Sequence, residues 1–136
     1  MSNNKGTPLW MAPEVFSSNK YTEKCDVFSF GIILWEVLTR RIPYEGVREP
    51  VAVLWAICNN KRPPMIRKCP KILRDLMQNS WNPKASDRPS MSEVVNIMEM
   101  VFSHCSSHAN DPIDLSSPKS KFNPITKLLI SNLKNP

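Results

Sequence analysis

Between Val27 and Leu38 only Ser29, Gly31 and Glu36 are not apolar. No other stretch limits the possible folds of this chain so strongly. The run from Thr22 to Arg41 holds no proline. Its β-branched and aromatic content would suit a strand, but its length decides for a helix. Thr22 is placed to cap that helix, Glu23 and Asp26 fall in its positive first turns, and Arg40 and Arg41 stand at its negative end. Apolar side chains lie on nearly every side, so the helix is expected to be buried on nearly every side. It is too short and too interrupted to cross a bilayer. The expectation is a central post with other segments packed around it.

Those segments are also helical. Pro13 to Ser17 can form a short helical turn, with proline at a first helical position. Val51 to Asn59 reads as a short helix, with a strand as the weaker alternative. Ile72, Leu73, Leu76, Met77 and Trp81 recur at helical spacing within Pro70 to Trp81. Ser90 followed by Glu93 forms a capping box for a helix running to Cys105, with Val94, Ile97, Met98, Val101 and Phe102 as its apolar face. Trp35, Trp55 and Trp81 read as core residues. From Ser106 to Pro136, Ser, Asn, Asp and Pro dominate, and a disordered tail is expected. The chain thus reads as mostly α, with one domain over residues 1–105.

Composition narrows the class of function. At 41% hydrophobic and 22% charged residues, the 136-residue chain suits a soluble globular protein. The net charge of +6 is spread without basic runs, which argues for a solvated surface and against nucleic-acid binding. Cys25, Cys58, Cys69 and Cys105 include no C-x-x-C pair, so reduced thiols and a cytoplasmic location are expected. There is no membrane segment in the sequence.

Two stretches carry more specific information. The first is Gly6-Thr-Pro-Leu-Trp-Met-Ala-Pro13-Glu14, followed by Asp26-Val-Phe-Ser-Phe-Gly31. The second is Trp81-Asn-Pro-Lys-Ala-Ser-Asp87-Arg88-Pro89-Ser90. In this order they resemble the lower part of a protein-kinase C-lobe, with Ala12-Pro13-Glu14 as the A-P-E signature. The resemblance runs from about residue 2 to about residue 105 and implies an incomplete kinase fold comprising its helices F to I. Asn3-Asn4-Lys5 before the signature, Glu23 to Ser29, Gly31 to Val37 and Arg62-Pro63-Pro64 resemble the TGF-β-activated kinase branch of the MAP kinase kinase kinases.

The resemblance implies roles for individual residues. Glu14 and Arg88 would form a buried ion pair. Thr7 would hydrogen-bond the catalytic aspartate, and Pro8, Leu9, Trp10 and Met11 would shape the pocket for a peptide substrate. Asp26 would anchor the central helix by accepting backbone amides of the catalytic loop. A carboxylate buried there would be costly without such partners. Ser2 falls where the family has a phosphorylated threonine, which makes it a candidate phosphosite beside Ser117 in Ser117-Pro118.

The family's reaction is ATP- and magnesium-dependent phosphorylation of Ser/Thr on MAP kinase kinases. That chemistry needs a Gly-rich loop, a lysine–glutamate pair, a catalytic aspartate and an Asp-Phe-Gly aspartate. With only Gly6, Gly31 and Gly46 no Gly-rich loop can be written, Arg74-Asp75 lies in a helical segment, and Asp-Phe-Gly is absent. No catalytic residue, cofactor or metal ligand is therefore assigned to these residues, and the expected role is an interaction module for a kinase adaptor or a MAP kinase kinase. Met1 falls at an internal position of the family frame, which makes a piece of an active kinase the alternative, and a degenerate duplicate a further one. Without the family's covering segments, roughly four or five apolar side chains of the central helix would each forfeit ~1.5–3 kcal/mol, so an aggregation-prone protein is expected.

Weaker signals complete the reading. His104, Cys105 and His108 lack a fourth ligand for zinc. Phe122, Ile125, Leu128, Leu129 and Leu133 have near-helical spacing that would suit a docking segment, against the default of a weakly ordered tail.

Overall fold

The computed structural model describes residues 8–18 and 20–107. A 3-10 turn, Pro8–Trp10, leads into α1 (Pro13–Ser17), α2 (Lys24–Thr39), α3 (Pro50–Cys58), α4 (Lys71–Ser80) and α5 (Met91–Ser107), with a second 3-10 turn at Ala85–Asp87. No strand occurs among the described residues. The structure is mostly helical, and each helix falls on a segment that the sequence pattern marks.

The reasons are local. Pro13 and Pro50 sit at the first positions of α1 and α3, where a missing N–H costs nothing. At α5 the capping box closes both ways: Glu93 N–H donates to Ser90 Oγ at 3.2 Å, and Ser90 N–H donates to Glu93 Oε2 at 2.6 Å. The helix runs two residues past Cys105, to Ser107. Residues 108–136, which include most of the expected tail, lie outside the described residues. At the start of α2, Thr22 Oγ1 receives the Lys24 N–H at a long 3.4 Å, so the cap is weak and the helix begins at Lys24. It ends at Arg40, which takes a left-handed φ of 57°.

α2 is the centre of the packing, as expected, but not buried on every side. Val27, Phe28, Ile32, Leu34 and Trp35 are in the core, whereas Ile33, Val37 and Leu38 are exposed. The inner face meets α4 at Gly31. A Cβ there would lie 2.8 Å from the Ser80 Cβ and 3.3 Å from the Met77 carbonyl oxygen. Glycine is what lets the two helices approach so closely. Ile72, Leu73, Leu76 and Met77 supply the facing side of α4, and Val94 and Ile97 of α5 extend the same core. Trp35 Nε1 donates to the Pro64 carbonyl at 2.8 Å, tying α2 to the loop before α4.

Two expectations about buried faces are corrected. Trp55 is 60% exposed, because Val53, Ala56 and Ile57 are the residues that α3 turns inward. Phe102 is exposed as well, while Val94, Ile97, Met98 and Val101 face the core. No described helix is long and apolar enough to cross a membrane.

Candidate functional site

The expected site residues fall into three groups. Pro8, Leu9, Trp10 and Met11 lie together in the first 3-10 turn and its exit. Two hydrogen bonds fasten that turn to α2. Trp10 Nε1 donates to Glu36 Oε2 at 2.8 Å, and Ser29 Oγ donates to the Trp10 carbonyl at 2.7 Å. The Met11 N–H closes the turn on the Pro8 carbonyl at 3.2 Å. Leu9 and Trp10 pack against the core while all four residues keep some exposure. Ser29 and Glu36 fasten the turn and Gly31 marks the helix crossing, so the three interruptions in the apolar run are where α2 makes its specific contacts.

Glu14 and Arg88 come together although 74 positions separate them in the chain. Arg88 Nη1 donates to Glu14 Oε1 at 2.6 Å and Nη2 donates to Oε2 at 2.9 Å, a bidentate pair. The Arg88 side chain is fully buried. Its remaining donors go to the Lys24 carbonyl at 2.9 Å and, from Nε, to the Asn82 carbonyl at 2.8 Å. One guanidinium thus joins α1, the start of α2 and the turn before α5. Burial pushes the Glu14 carboxyl upward, but the Arg88 hydrogen bonds, a backbone hydrogen bond and the positive charges of Arg88 and Arg62 outweigh it. The net result is a carboxyl below its ordinary value. Both arginines also lie over the Phe28 ring, Arg62 at 4.9 Å and Arg88 at 5.1 Å from its centroid.

The backbone amides of a catalytic loop, the partners expected for Asp26, are not among the described residues. The Asp26 carboxylate is exposed there and accepts the Cys25 thiol at 3.8 Å. Exposure removes the cost that burial would impose. Burial and the Asp26 charge together push the Cys25 thiol upward, which keeps it protonated. Thr7, Ser2 and Ser117 lie outside the described residues. So does His108. Among the described residues no cluster of His, Cys, Asp or Glu could hold a metal ion.

Residues 1–98 match the family model of protein tyrosine and serine/threonine kinases. The chain belongs to the protein kinase family. The Glu14–Arg88 pair and the turn at residues 8–11 both lie within the matched residues. Mitogen-activated protein kinase kinase kinase 7 of Homo sapiens is 54% identical over 99 residues, covering 72% of this chain and 16% of that protein. The Drosophila melanogaster protein of the same name is 48% identical over 101 residues, covering 74% of this chain and 15% of its own length. The dual specificity protein kinase shkD of Dictyostelium discoideum is 45% identical over 108 residues, covering 79% and 14%. The chain thus spans a small part of the length of these relatives and is a partial kinase domain resembling the first two.

Sequence reasoning missed Trp10's anchor, Glu36, and the exposure of Trp55. The signal for Glu36 was present: it is the one charged residue in the apolar run from Val27 to Leu38, a position that calls for a partner.

Proposed function

We propose that this chain forms the peptide-facing side of a Ser/Thr protein kinase domain of the MAP kinase kinase kinase class. Residues 1–136 alone then bind protein and do not transfer phosphate. The supporting observation is the fastened turn: Trp10 and its carbonyl are held on α2 by Glu36 and Ser29, which presents Pro8 to Met11 in a fixed shape. A surface ordered before binding loses less freedom when a partner docks. The Glu14–Arg88 pair holds the adjoining α1 to the rest of the helical body. Phosphoryl transfer depends on groups that position ATP and magnesium, and these residues contain neither a Gly-rich loop nor Asp-Phe-Gly. On this reading the partners are a MAP kinase kinase or a kinase adaptor in the cytoplasm, and the 136 residues require no cofactor.

The test is a titration of the 136-residue chain with purified MAP kinase kinase, followed by incubation with Mg-ATP. Saturable binding that Met11→Ala weakens, with no phosphate incorporated, supports the reading. Phosphate transfer, or binding indifferent to the 8–11 turn, refutes it.

The open face of α2 favours a second reading. Asp26, Ile33 and Val37 share that exposed face at helical spacing, and an apolar face on a central helix is costly to leave in water. We propose as the alternative that further residues of an active kinase cover it. An endogenous species much heavier than 15.6 kDa, reactive with an antibody to residues 106–136, would select this alternative.

A further inference from the structure

Phe102, near the end of α5, is 73% exposed, more than any other described aromatic side chain. Trp55, the next, has the Lys61 Nζ over its ring, 5.4 Å from the centroid; no described cation lies over Phe102. Nor does the Phe102 ring stand alone. Val95 is 49% and Met91 40% exposed, Met98 is half-buried, and Cys105 is exposed one turn beyond. Met91, Val95, Met98, Phe102 and Cys105 recur at alternating steps of four and three residues, the spacing of a helix–helix seam. On the adjoining side Val94, Ile97 and Val101 pack into the core. α5 therefore carries two apolar faces, and the described residues supply a partner for one of them. Apolar residues exposed singly are ordinary on a protein surface, whereas a continuous stripe marks a contact.

The charge beside the stripe is negative. α5 contains no Lys or Arg. Glu93 is taken up by the Ser90 N–H, but Glu99, one turn from both Val95 and Phe102, is exposed and in no ion pair among the described residues. Such a face suits a partner that is apolar and basic.

A segment of that kind follows α5 in the same chain. Phe122, Ile125, Leu128, Leu129 and Leu133 fall at near-helical spacing, with Pro124 suited to a first helical position and Asn123 before it suited to a cap. Lys119, Lys121, Lys127 and Lys134 accompany them, and no acidic residue follows Asp114. The lengths agree. As a helix, residues 124–133 would extend ~15 Å, against ~16 Å of α5 from Met91 to Phe102. The connecting residues 108–121 can reach as far as ~46–50 Å, ample for the chain to double back. A segment tethered this way is present at an effective concentration on the order of millimolar. A second copy docked by the same face would instead set Glu99 against Glu99.

We propose that the segment from Lys119 to Lys134 folds back along α5 as its helical partner. Its apolar residues cover Met91, Val95 and Phe102, and its lysines are drawn to Glu99. The end of the chain thus closes over the last helix of the body, a contact that the kinase reading neither requires nor supplies.

The test compares the full 136-residue chain with its Leu129→Asp variant, both carrying isotope-labelled methionine methyl groups for NMR. Leu129→Asp should move the Met91 and Met98 signals and leave that of Met77, buried against α2, in place. The native signals should not move on dilution. A fluorescent peptide of residues 119–136 should bind the Leu129→Asp chain about tenfold or more tightly than the native chain, whose own segment already occupies the stripe. Adding Phe102→Asp to the Leu129→Asp chain should weaken the peptide by about tenfold or more. Adding Glu99→Lys instead should weaken it several-fold at low salt, the effect of an exposed charge. Circular dichroism melts establish that each variant is folded. The proposal is overturned if Met91 and Met98 give the same signals in both chains, or if the peptide binds both chains equally or neither. It is also overturned if either α5 substitution leaves the peptide's affinity unchanged, or if the native signals shift on dilution, which would place a second copy on the stripe. No MAP kinase kinase and no ATP enter this assay, so its failure is separable from failure of the kinase reading.

Discussion

Trp35 and Trp55 stand on successive helices that are both apolar on most sides, yet Trp35 is 2% exposed and Trp55 is 60% exposed. The difference does not come from the residues. It comes from what faces them. On α2 the inner side meets α4 through Gly31, and Trp35 closes against the Pro64 carbonyl. On α3 the inward positions are taken by Val53, Ala56 and Ile57, which leaves Trp55 outside. Burial is a property of two matched surfaces, and a helix with more apolar sides than partners must leave one in water.

Alanine substitutions test that contrast most strongly. Trp35→Ala should lower unfolding stability by ~3–5 kcal/mol, the cost of emptying a core aromatic site. Trp55→Ala should cost less than ~1 kcal/mol, since it loses little more than an exposed cation–π contact. Equal losses in urea unfolding would show that the two helices are not packed as described.

Glu14→Ala should cost about 3 kcal/mol, because it strands a fully buried guanidinium. The same pair sets an acid limit. The folded Glu14 carboxyl lies below the ordinary value of 4.5, so its stabilisation is present above that value. It is lost as the pH falls below 4.5 and through the folded value. Glu14→Gln should flatten this part of the stability–pH curve, and an unchanged curve would show that the pair is not formed in solution.

Gly31→Ala probes the crossing of α2 and α4. With the Ser80 Cβ at 2.8 Å, an added methyl should cost about 1–3 kcal/mol. The smallest effect belongs to the open side of α2. Val37→Glu should change stability by no more than ~0.5 kcal/mol. By light scattering it should also raise the protein concentration at which aggregation begins. A large loss of stability there would mean that this face is covered after all.

The helices themselves were legible from local signals. Pro13 at a first helical position, the Ser90–Glu93 box and the spacing of Ile72, Leu73, Leu76 and Met77 each act within a turn or two of chain, whereas Pro50, which opens α3, reads in the sequence as the end of the preceding loop. The pairing of Glu14 with Arg88 was legible only through resemblance, since no spacing rule links a loop to a turn so far downstream. The anchoring role of Asp26 was likewise legible only through resemblance, since its expected partners belong to a catalytic loop that the described residues do not include. Glu36, a lone charge in an apolar run, pointed to a need for a partner without saying that Trp10 would meet it.

By itself the sequence determined which segments are helical, with their ends to within a few residues, because caps, prolines and helical periodicity are short-range effects. It also determined the kinase family, through motifs whose order survives in the linear chain. Only the tertiary structure decided which side of α2 and of α3 is wet, and that Trp55 with Lys61 faces outward. Those choices depend on how closely helices distant in sequence can approach, and that depends on shape, as at Gly31, more than on hydrophobicity.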